Sequence, residues 1–511
     1  MAYRTFAAID VGSFELEMII YEISSKYGIR QLDCQRHVIA LGRDTFAQGK
    51  IHFEHIDEMC RVLERFTETM KEYGVTEYRA YATSAMREAK NNLMILDQIR
   101  VRTGLDVHII SNSEQRFISY KAIAMKSEAF SQVVKKGTGI VDVSFGSLQV
   151  SLFDKDTLAS TQNMYLGALR IRSMLSSLHS EGPVTTKLVE ELVDNDLLNF
   201  KKLYLKDKDI NCLICTGECI LYMVKDCKRT DQGAMLTREE FMEFYDELLH
   251  MSIGKMEETF GISTYLATLM IPSAMIYKRM LEIADAESIW VPGVRLCDGM
   301  AAEYALDKKL MKQTHDFDSD ILAAARNISN RYQGNKKHNR VLEDNVCAIF
   351  DYMKKYHGMG RRERLLLQLA AILHGCGKYI SMRNSGECAY NIIMSTEIIG
   401  LSHREREIVA NIVKYNTDRL TYLDKEGTLA DTDTYVMVTK LTAILRIANA
   451  LDRSHKQKFK NIKLSIKKEK LVITTDYTGD ISLEMEMFTG KADFFEEIYG
   501  IRPVIKQKRG V

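Results

Sequence analysis

The chain is 511 residues long, 46% of them apolar, with 70 basic side chains against 69 acidic ones and a net charge of +1. Such a length suggests three or four domains of roughly 100–200 residues, and the near-neutral charge excludes a protein that wraps polyanions over its whole surface. No apolar run approaches the roughly 18 residues a membrane helix needs. The ten scattered cysteines, with no paired framework, fit free thiols in a reducing compartment. The opening MAYRTFAAID leads straight into a strand with no export signal. A soluble, cytoplasmic, multidomain α/β protein is expected, with neither a membrane nor a specific nucleic acid among its partners.

Phe6–Ile23 (FAAIDVGSFELEMIIYEI) reads as a strand, a tight turn at Gly12-Ser13 and a second strand. Ile51–Gly74 then carries the 3.6-residue apolar rhythm of a helix, through Ile56, Met59, Val62, Leu63, Phe66 and Met70. Strands are expected at Tyr78–Ala82 and Leu105–Ile110, with a short helix at Thr83–Ala89 between them. Gly137–Lys155 (GTGIVDVSFGSLQVSLFDK) repeats the opening plan: an apolar strand, a Gly/Ser turn and an alternating strand. Asp10 and Asp142 occupy equivalent places in the two copies. A repeated element of this kind predicts two similar halves enclosing a phosphate-binding cleft.

Thr237–Met251 is predicted helical, and Pro272–Tyr304 contains the turn VPGVRLCDGM. From about Asp316 the texture changes to helical periodicity alone, in His338–Tyr356, Arg362–Leu373, Arg404–Lys414 and Asp433–Leu451. After Lys456 strand patterns return in NIKLSIKKEKLVITTDY and ISLEMEMF, before a helix at Lys491–Tyr499 and a strand at Arg502–Lys506. The expected division is 1–125, 126–310, 311–455 and 456–511. His455–Lys470 concentrates seven lysines, which read equally as a solvated strand face or as a surface that guides a polyanion.

An Asp ending a strand, followed by Gly and Ser, suits phosphate chemistry. Turn N–H groups bind phosphate oxygens, Ser adds a hydroxyl, and Asp holds Mg²⁺ through water. Hairpin turns use the same residues routinely, so it is the two copies in register that carry weight. Ser84 and Arg87 stand at a strand-to-helix junction, where they either grip an oxyanion or serve as a helix cap and a solvated charge. Cys212, Cys215, Cys219 and Cys227 have the look of a metal cluster, but their apolar setting favours core packing.

The order AAIDVGS, YATSAMREAKN, IISNSEQ, GIVDVSFGS, YLGALRI and LCDGM resembles the motifs of the exopolyphosphatase/guanosine pentaphosphate phosphohydrolase family. The resemblance implies two actin-like (ribonuclease-H-like) domains, an all-helical HD-like domain and a small α+β C-terminal domain. It further implies that Gly12, Ser13, Ser84, Arg87, Gly146 and Ser147 bind phosphate, and that Asp10 and Asp142 organise Mg²⁺ and water. The implied ligands are polyphosphate or a phosphorylated guanosine nucleotide, and a homodimer is the implied assembly.

Several positions depart from the family pattern. Phe14-Glu15 stand where the family has Asn-Ser, Ser144-Phe145 replace two glycines, and Leu148-Gln149 replace Thr-Glu. Gly217-Glu218-Cys219 replace Gly-Gly-Thr. The family's catalytic carboxylate is the second Glu of I-S-G-x-E-E-A-R. Ungapped alignment from Ser111 puts Gln115 there, and the apolar pattern of Ile118, Tyr120 and Ile123 agrees with it. A one-residue deletion would put Glu114 there instead. Gln orients a water but cannot take its proton.

AAILHGCGKYI resembles the His-Asp core of HD-type domains. His338 and His374 match its histidines, while Gly375, Cys388 and Asn449 replace other ligands, so the domain reads as structural. Two functions are carried forward. One is a phosphoanhydride hydrolase releasing terminal phosphate from polyphosphate or guanosine pentaphosphate. The other is a catalytically impaired regulator that binds a phosphorylated ligand or a protein partner.

Overall fold

Phe6 to Val11 alternates its side chains between two buried faces, as a strand covered on both sides must. Ala7, Ile9 and Val11 join the apolar face of the helix Phe53–Glu72, while Phe6 and Ala8 meet the helix Leu296–Asp307. There the Phe6 and Tyr304 rings stack at 4.3 Å. This strand is the centre of the first of three sheets. The computed structural model describes residues 3–508 except 136, 155–156, 178–182, 207, 226–228, 231–232, 313–314, 419 and 421–430.

The chain forms two compact units, Met1–Asp316 and Phe317–Val511. In the first unit one sheet has the order β3-β2-β1-β4-β5, from Gly28–Val38, Glu15–Ser24, Arg4–Val11, Glu77–Ala82 and His108–Ile109. β1, β2 and β3 are antiparallel neighbours, while β4 and β5 join in parallel. The second sheet comprises β6 (Thr138–Val143), β7 (Leu148–Asp154), β8 (Thr157–Met164), β9 (Cys212–Thr216), β10 (Arg229–Thr230), β11 (Gly233–Thr237) and β12 (Ser288–Val291). Its run β8-β7-β6-β9-β12 repeats the order and directions of the first sheet. Asp10 pairs with Glu17 across one hairpin, and Asp142 with Gln149 across the other. The two aspartates are therefore equivalent in the backbone as well as in the sequence, and both halves have the actin-like plan.

The cysteines of the second half follow the packing expectation. Cys212, Cys215 and Cys219 are buried among the apolar side chains of this sheet, and Cys227 lies outside the described residues.

Among the described residues of the second unit, six longer helices, from Phe317–Arg331 to Thr432–Ala450, pack with a three-stranded sheet of β13 (Lys463–Lys467), β14 (Lys470–Thr475) and β15 (Arg502–Gln507). ISLEMEMF, expected as a strand, is instead the start of the helix Ser482–Tyr499. Its alternating Leu483, Met485 and Met487 are exposed, whereas Glu484, Phe488, Ala492 and Phe495 form the buried helical stripe. The buried Glu484 is matched by Lys458 at 2.8 Å, which takes that lysine out of the solvated set. Lys463, Lys467, Lys468 and Lys470 remain exposed. Among the described residues no single helix is long and apolar enough to cross a membrane.

The HD-like histidines meet in the interior of this unit. His338 and His374 face each other with Nε2 atoms 3.2 Å apart, and His374 Nδ1 donates to the Ala371 carbonyl at 2.8 Å. Asp452 stands 2.7 Å from His338 Nδ1. Sequence reading looked for this carboxylate three residues earlier, at Asn449. Burial, with the charges of His338, Lys378 and His455, pushes the His374 pKa down to about 3. The unfolded chain therefore takes up a proton on this group below its ordinary pKa of about 6.5, where the folded chain does not. Stability due to this group is present above pH 6.5 and falls as pH is lowered toward 3. We expect amide exchange in Lys336–Tyr352 and Arg361–Leu373 to report a loss of about 2 kcal/mol between pH 6.5 and 5, and a flatter dependence in His374→Gln.

Candidate active-site cleft

β1 and β6 both end on an Asp followed by a valine, Asp142 buried and Asp10 half-buried with one oxygen fully covered. The carboxyl ends of parallel strands are where open α/β sheets leave a crevice for ligands. A cavity of about 270 Å³ lies there. Asp10, Glu15, Glu17 and Arg36 line it from the first sheet, and Asp142, Ser144, Thr216, Gly217 and Glu218 from the second. Gln115 and Ser119, on the helix Asn112–Ala124, complete one wall.

Five carboxylates thus surround one small space, and their partners differ. Glu17 is held by Arg36 at 2.7 Å and by Arg295 at 3.1 Å. Asp142 accepts a hydrogen bond from the Thr216 hydroxyl at 2.9 Å. Its pKa is raised by burial, against the downward pull of Thr216 and the Arg116 charge. Asp10 has one oxygen fully buried with no hydrogen-bond partner among the described residues. Burial first, then the charges of Glu17, Glu15 and Asp142, raise it well above the usual carboxylate range. Glu15 is pushed up to about 7 by burial, with Arg36 pulling it down and Glu17 pushing it further up. Glu218 is also raised well above its ordinary value, by burial and then by Glu15 and Asp10.

Such a cleft resists an anion unless a proton or a cation intervenes. Among the described residues no three His, Cys, Asp or Glu side chains converge as a ready metal cage. Mg²⁺ does not require one, because it keeps several waters and binds through one or two carboxylates. Asp10, with its unpartnered oxygen, and Asp142 fit that demand.

The residues expected to bind phosphate are drawn together, but against one another rather than around the cavity. Ser13 and Ser84 share a hydrogen bond of 2.7 Å, and the Ala85 N–H donates to Ser13 Oγ at 3.1 Å. A Cβ on Gly146 would fall 2.4 Å from Ser84 Oγ, so the two loops touch where this glycine sits. The N–H groups of Gly12 and Ser147 already donate to the Glu15 carbonyl and to Ser144 Oγ, at 3.0 and 3.2 Å. Arg87 reaches the Ile110 carbonyl at 2.5 Å and the Asn112 side chain, bracing the entry to the next helix. None of Gly12, Ser13, Ser84, Arg87, Gly146 and Ser147 lines the cavity.

The two residues that depart from the family glycine and asparagine seal this junction. Phe14 and Phe145 lie 4.7 Å apart, and Phe14 stacks on Tyr265 at 5.3 Å. Both phenylalanines are buried. Such contacts add about 0.5–1.5 kcal/mol each beyond the area they bury.

Glu114 and Gln115 are separated by their side chains. Ser111 and Glu114 form a reciprocal capping box, in which the Ser111 N–H and hydroxyl donate to one Glu114 oxygen at 2.9 and 2.7 Å. That carboxylate completes the helix start. Gln115, one residue on, lines the cavity. Sequence reading noted Glu15 and Glu218 as departures without giving them a part in the site, and it omitted Glu17, Arg36 and Arg295 altogether. Glu218 was the most legible of these, since it interrupts a Gly/Thr turn with a carboxylate.

Comparison with known proteins agrees with this architecture. The Ppx/GppA phosphatase family model matches residues 19–308, and that of Ppx/GppA phosphatase domain III matches residues 322–486. A guanosine-5'-triphosphate,3'-diphosphate pyrophosphatase of Photobacterium profundum is 21% identical over 481 residues, covering 92% of this chain and 91% of its own. Exopolyphosphatase 1 of Mycobacterium leprae is 19% identical over 338 residues, covering 64% and 98%. The crystal structure of an exopolyphosphatase from Cytophaga hutchinsonii superposes with a TM-score of 0.52 at 16% identity, covering 60% of this chain and 100% of that one. With duplicated sheets of one strand order, aspartates at equivalent strand ends and family models matched from residue 19 to 308 and from 322 to 486, the chain belongs to the Ppx/GppA phosphatase family.

Proposed function

We propose that the chain is a cytoplasmic phosphoanhydride hydrolase that releases terminal phosphate from inorganic polyphosphate or guanosine pentaphosphate. The observation that carries this reading is the pair Asp10 and Asp142 at equivalent strand ends, facing one cavity, with an oxygen of Asp10 buried and unpartnered. The relatives' names, a guanosine pyrophosphatase and an exopolyphosphatase, support it. The free thiols support the compartment.

Asp10 and Asp142 would hold Mg²⁺, which supplies positive charge to phosphate oxygens that the acidic cleft would otherwise repel. The remaining residues position and exclude. Thr216 fixes the Asp142 carboxylate, Arg36 and Arg295 neutralise Glu17, and Gln115 offers an amide that orients a water or a phosphate oxygen. A second reading, a regulator that binds without turnover, is favoured by the Phe14–Phe145 contact across the two turns.

Purified protein with Mg²⁺ is expected to release orthophosphate from long-chain polyphosphate or guanosine pentaphosphate, and Asp142→Asn is expected to lower kcat at least about 100-fold. Tight binding of the same substrates without any phosphate release would make the regulator reading the correct one. A binding readout independent of turnover follows from Asp10. Because its folded-state pKa is raised, the stability it lends at acid pH is lost as pH rises through the carboxylate range. At pH 7 without cation, Asp10→Asn should therefore raise Tm. Mg²⁺ should raise the Tm of the parent protein and leave that of the variant nearly unchanged. Glu114→Ala, by removing the helix cap, should lower stability by about 1 kcal/mol and leave phosphate release within a few fold, in a denaturation series paired with the phosphate assay.

A further inference from the structure

The second unit has a cavity of its own, about 210 Å³ in volume, for which the hydrolytic reading has no use. His338, His374 and His455 line it, together with Asn335, Lys378 and the pair Tyr332 and Tyr379. Three imidazoles in one place suggest a metal, but the hydrogen bonds point elsewhere. Asp452 takes His338 Nδ1 at 2.7 Å, the Ala371 carbonyl takes His374 Nδ1 at 2.8 Å, and the two Nε2 atoms take each other at 3.2 Å. The other Asp452 oxygen accepts from the Gln457 N–H at 2.6 Å. The two buried rings and their carboxylate are thus engaged among themselves, which leaves no lone pair for a cation in the cavity.

What remains for a ligand is a set of donors. Asn335 caps its helix, its Oδ1 accepting from the His338 N–H at 3.1 Å, so its amide nitrogen is the atom that lies 3.3 Å from His455 Nδ1. His455 Nδ1 is therefore the acceptor, and the proton of the neutral ring stays on Nε2. That ring stacks on His338 at 4.0 Å, and its backbone has φ of 55°, which a residue other than glycine keeps only where its surroundings impose it. The Lys378 ammonium forms no hydrogen bond or ion pair among the described residues, and the charge of Arg453 bears on it and on His455 alike. Among the described residues no carboxylate lines the cavity. At Gly375, also in the lining, a Cβ would meet nothing within 4 Å, so there is room for a side chain that the sequence does not supply. An unpaired ammonium and N–H donors, with no carboxylate beside them, suit an anion rich in acceptor oxygens.

We propose that this cavity binds a phosphate group, held by the Lys378 ammonium and the His455 Nε2–H. Its volume is below the roughly 300–1,000 Å³ of a pocket for a drug-sized ligand, which fits a small anion or the phosphorylated end of a larger molecule. The Tyr332 and Tyr379 rings, edge to face at 5.8 Å, flank that space. Free orthophosphate and a phosphate monoester present the same oxygens to these donors. Binding here is independent of turnover in the first unit.

The full-length protein is titrated calorimetrically with orthophosphate, adenosine 5′-monophosphate and chloride, in EDTA so that no Mg²⁺ bridges an anion to the acidic cleft. Amide exchange is followed in parallel at residues 332–338 and 374–380. One or both phosphates should bind and slow exchange in both segments. Lys378→Ala and His455→Ala should each weaken binding at least about tenfold, as loss of a charge-assisted or buried donor does. Lys467→Ala, at an exposed lysine outside the cavity, should change it less than about twofold. Gly375→Asp should abolish binding and Gly375→Asn should keep it within about threefold, since charge separates the two side chains. The monophosphate binding at least about tenfold tighter than orthophosphate identifies a monoester as the ligand, and equal affinities identify free phosphate. Phosphate binding no tighter than chloride, or unchanged in Lys378→Ala, overturns the proposal. Without EDTA, stoichiometric Zn²⁺ uptake that survives Lys378→Ala, with no phosphate bound, makes this a cation site and overturns it as well.

Discussion

The first unit is organised around two carboxylates taken out of water at the ends of buried strands. Removing an isolated carboxylate from water is so unfavourable that such a group is protonated, paired or bound to a cation. Asp142 has the Thr216 hydroxyl and the nearby Arg116 charge to moderate its burial. Asp10, at the equivalent point of the other sheet, has an oxygen with no partner among the described residues. That asymmetry makes the cavity between them a place where a cation or a proton is favoured, and the surrounding elements determine which groups can use it. The helix Leu296–Asp307 returns from the second half to cover the first sheet, and in doing so delivers Arg295 to Glu17.

The same cleft has exchanged its chemistry locally while retaining its frame. Gln149 is neutral where the family motif has a carboxylate, as Gln115 is in the ungapped register, and Gln149 accepts from Arg116 at 3.3 Å inside the protein. Glu15 and Glu218 bring carboxylates where the pattern has none. Their effect is to move negative charge around the cavity rather than to remove it. The turns show a parallel exchange. Phe14 and Phe145 convert the meeting of two polar loops into an apolar contact, and the hydroxyls of Ser13 and Ser84 bond to each other. N–H groups that could have faced a phosphate are donated within the turns instead.

The second unit retains the interior of an HD-like bundle in altered form. His338 and His374 face each other, with Asp452 and the Ala371 carbonyl on their outer nitrogens. Outer partners of this type fix how an imidazole is oriented. Here they hold two buried rings in register between helices, and the ring of His455 stacks on His338 at 4.0 Å. A buried polar chain of this sort specifies one packing of the helices, because each member is left without a partner if the register slips.

Much of this was legible in the sequence. The hairpin at Phe6–Ile23, its copy at Gly137–Lys155 and the equivalence of Asp10 and Asp142 follow from period-two patterning, which depends only on neighbouring residues. The helical region after Asp316 follows equally from its 3.6-residue period. Where local pattern and burial disagreed, the pattern misled: Leu483, Met485 and Met487 alternate like a strand, yet the buried stripe of Glu484, Phe488 and Phe495 makes the segment helical. The choice between Glu114 and Gln115 could not be made from spacing alone, since adjacent residues on a helix point about 100° apart. It took the helix start, with Ser111 claiming the Glu114 carboxylate, to turn Gln115 toward the cavity. The sequence by itself determined the strand and helix frame and the two aspartates, because those reside in local periodicity. The gathering of Glu15, Glu17, Glu218, Arg36 and Arg295 around one space was decided by tertiary structure, because only the packing of distant strand ends and loops brings their charges within range of one another.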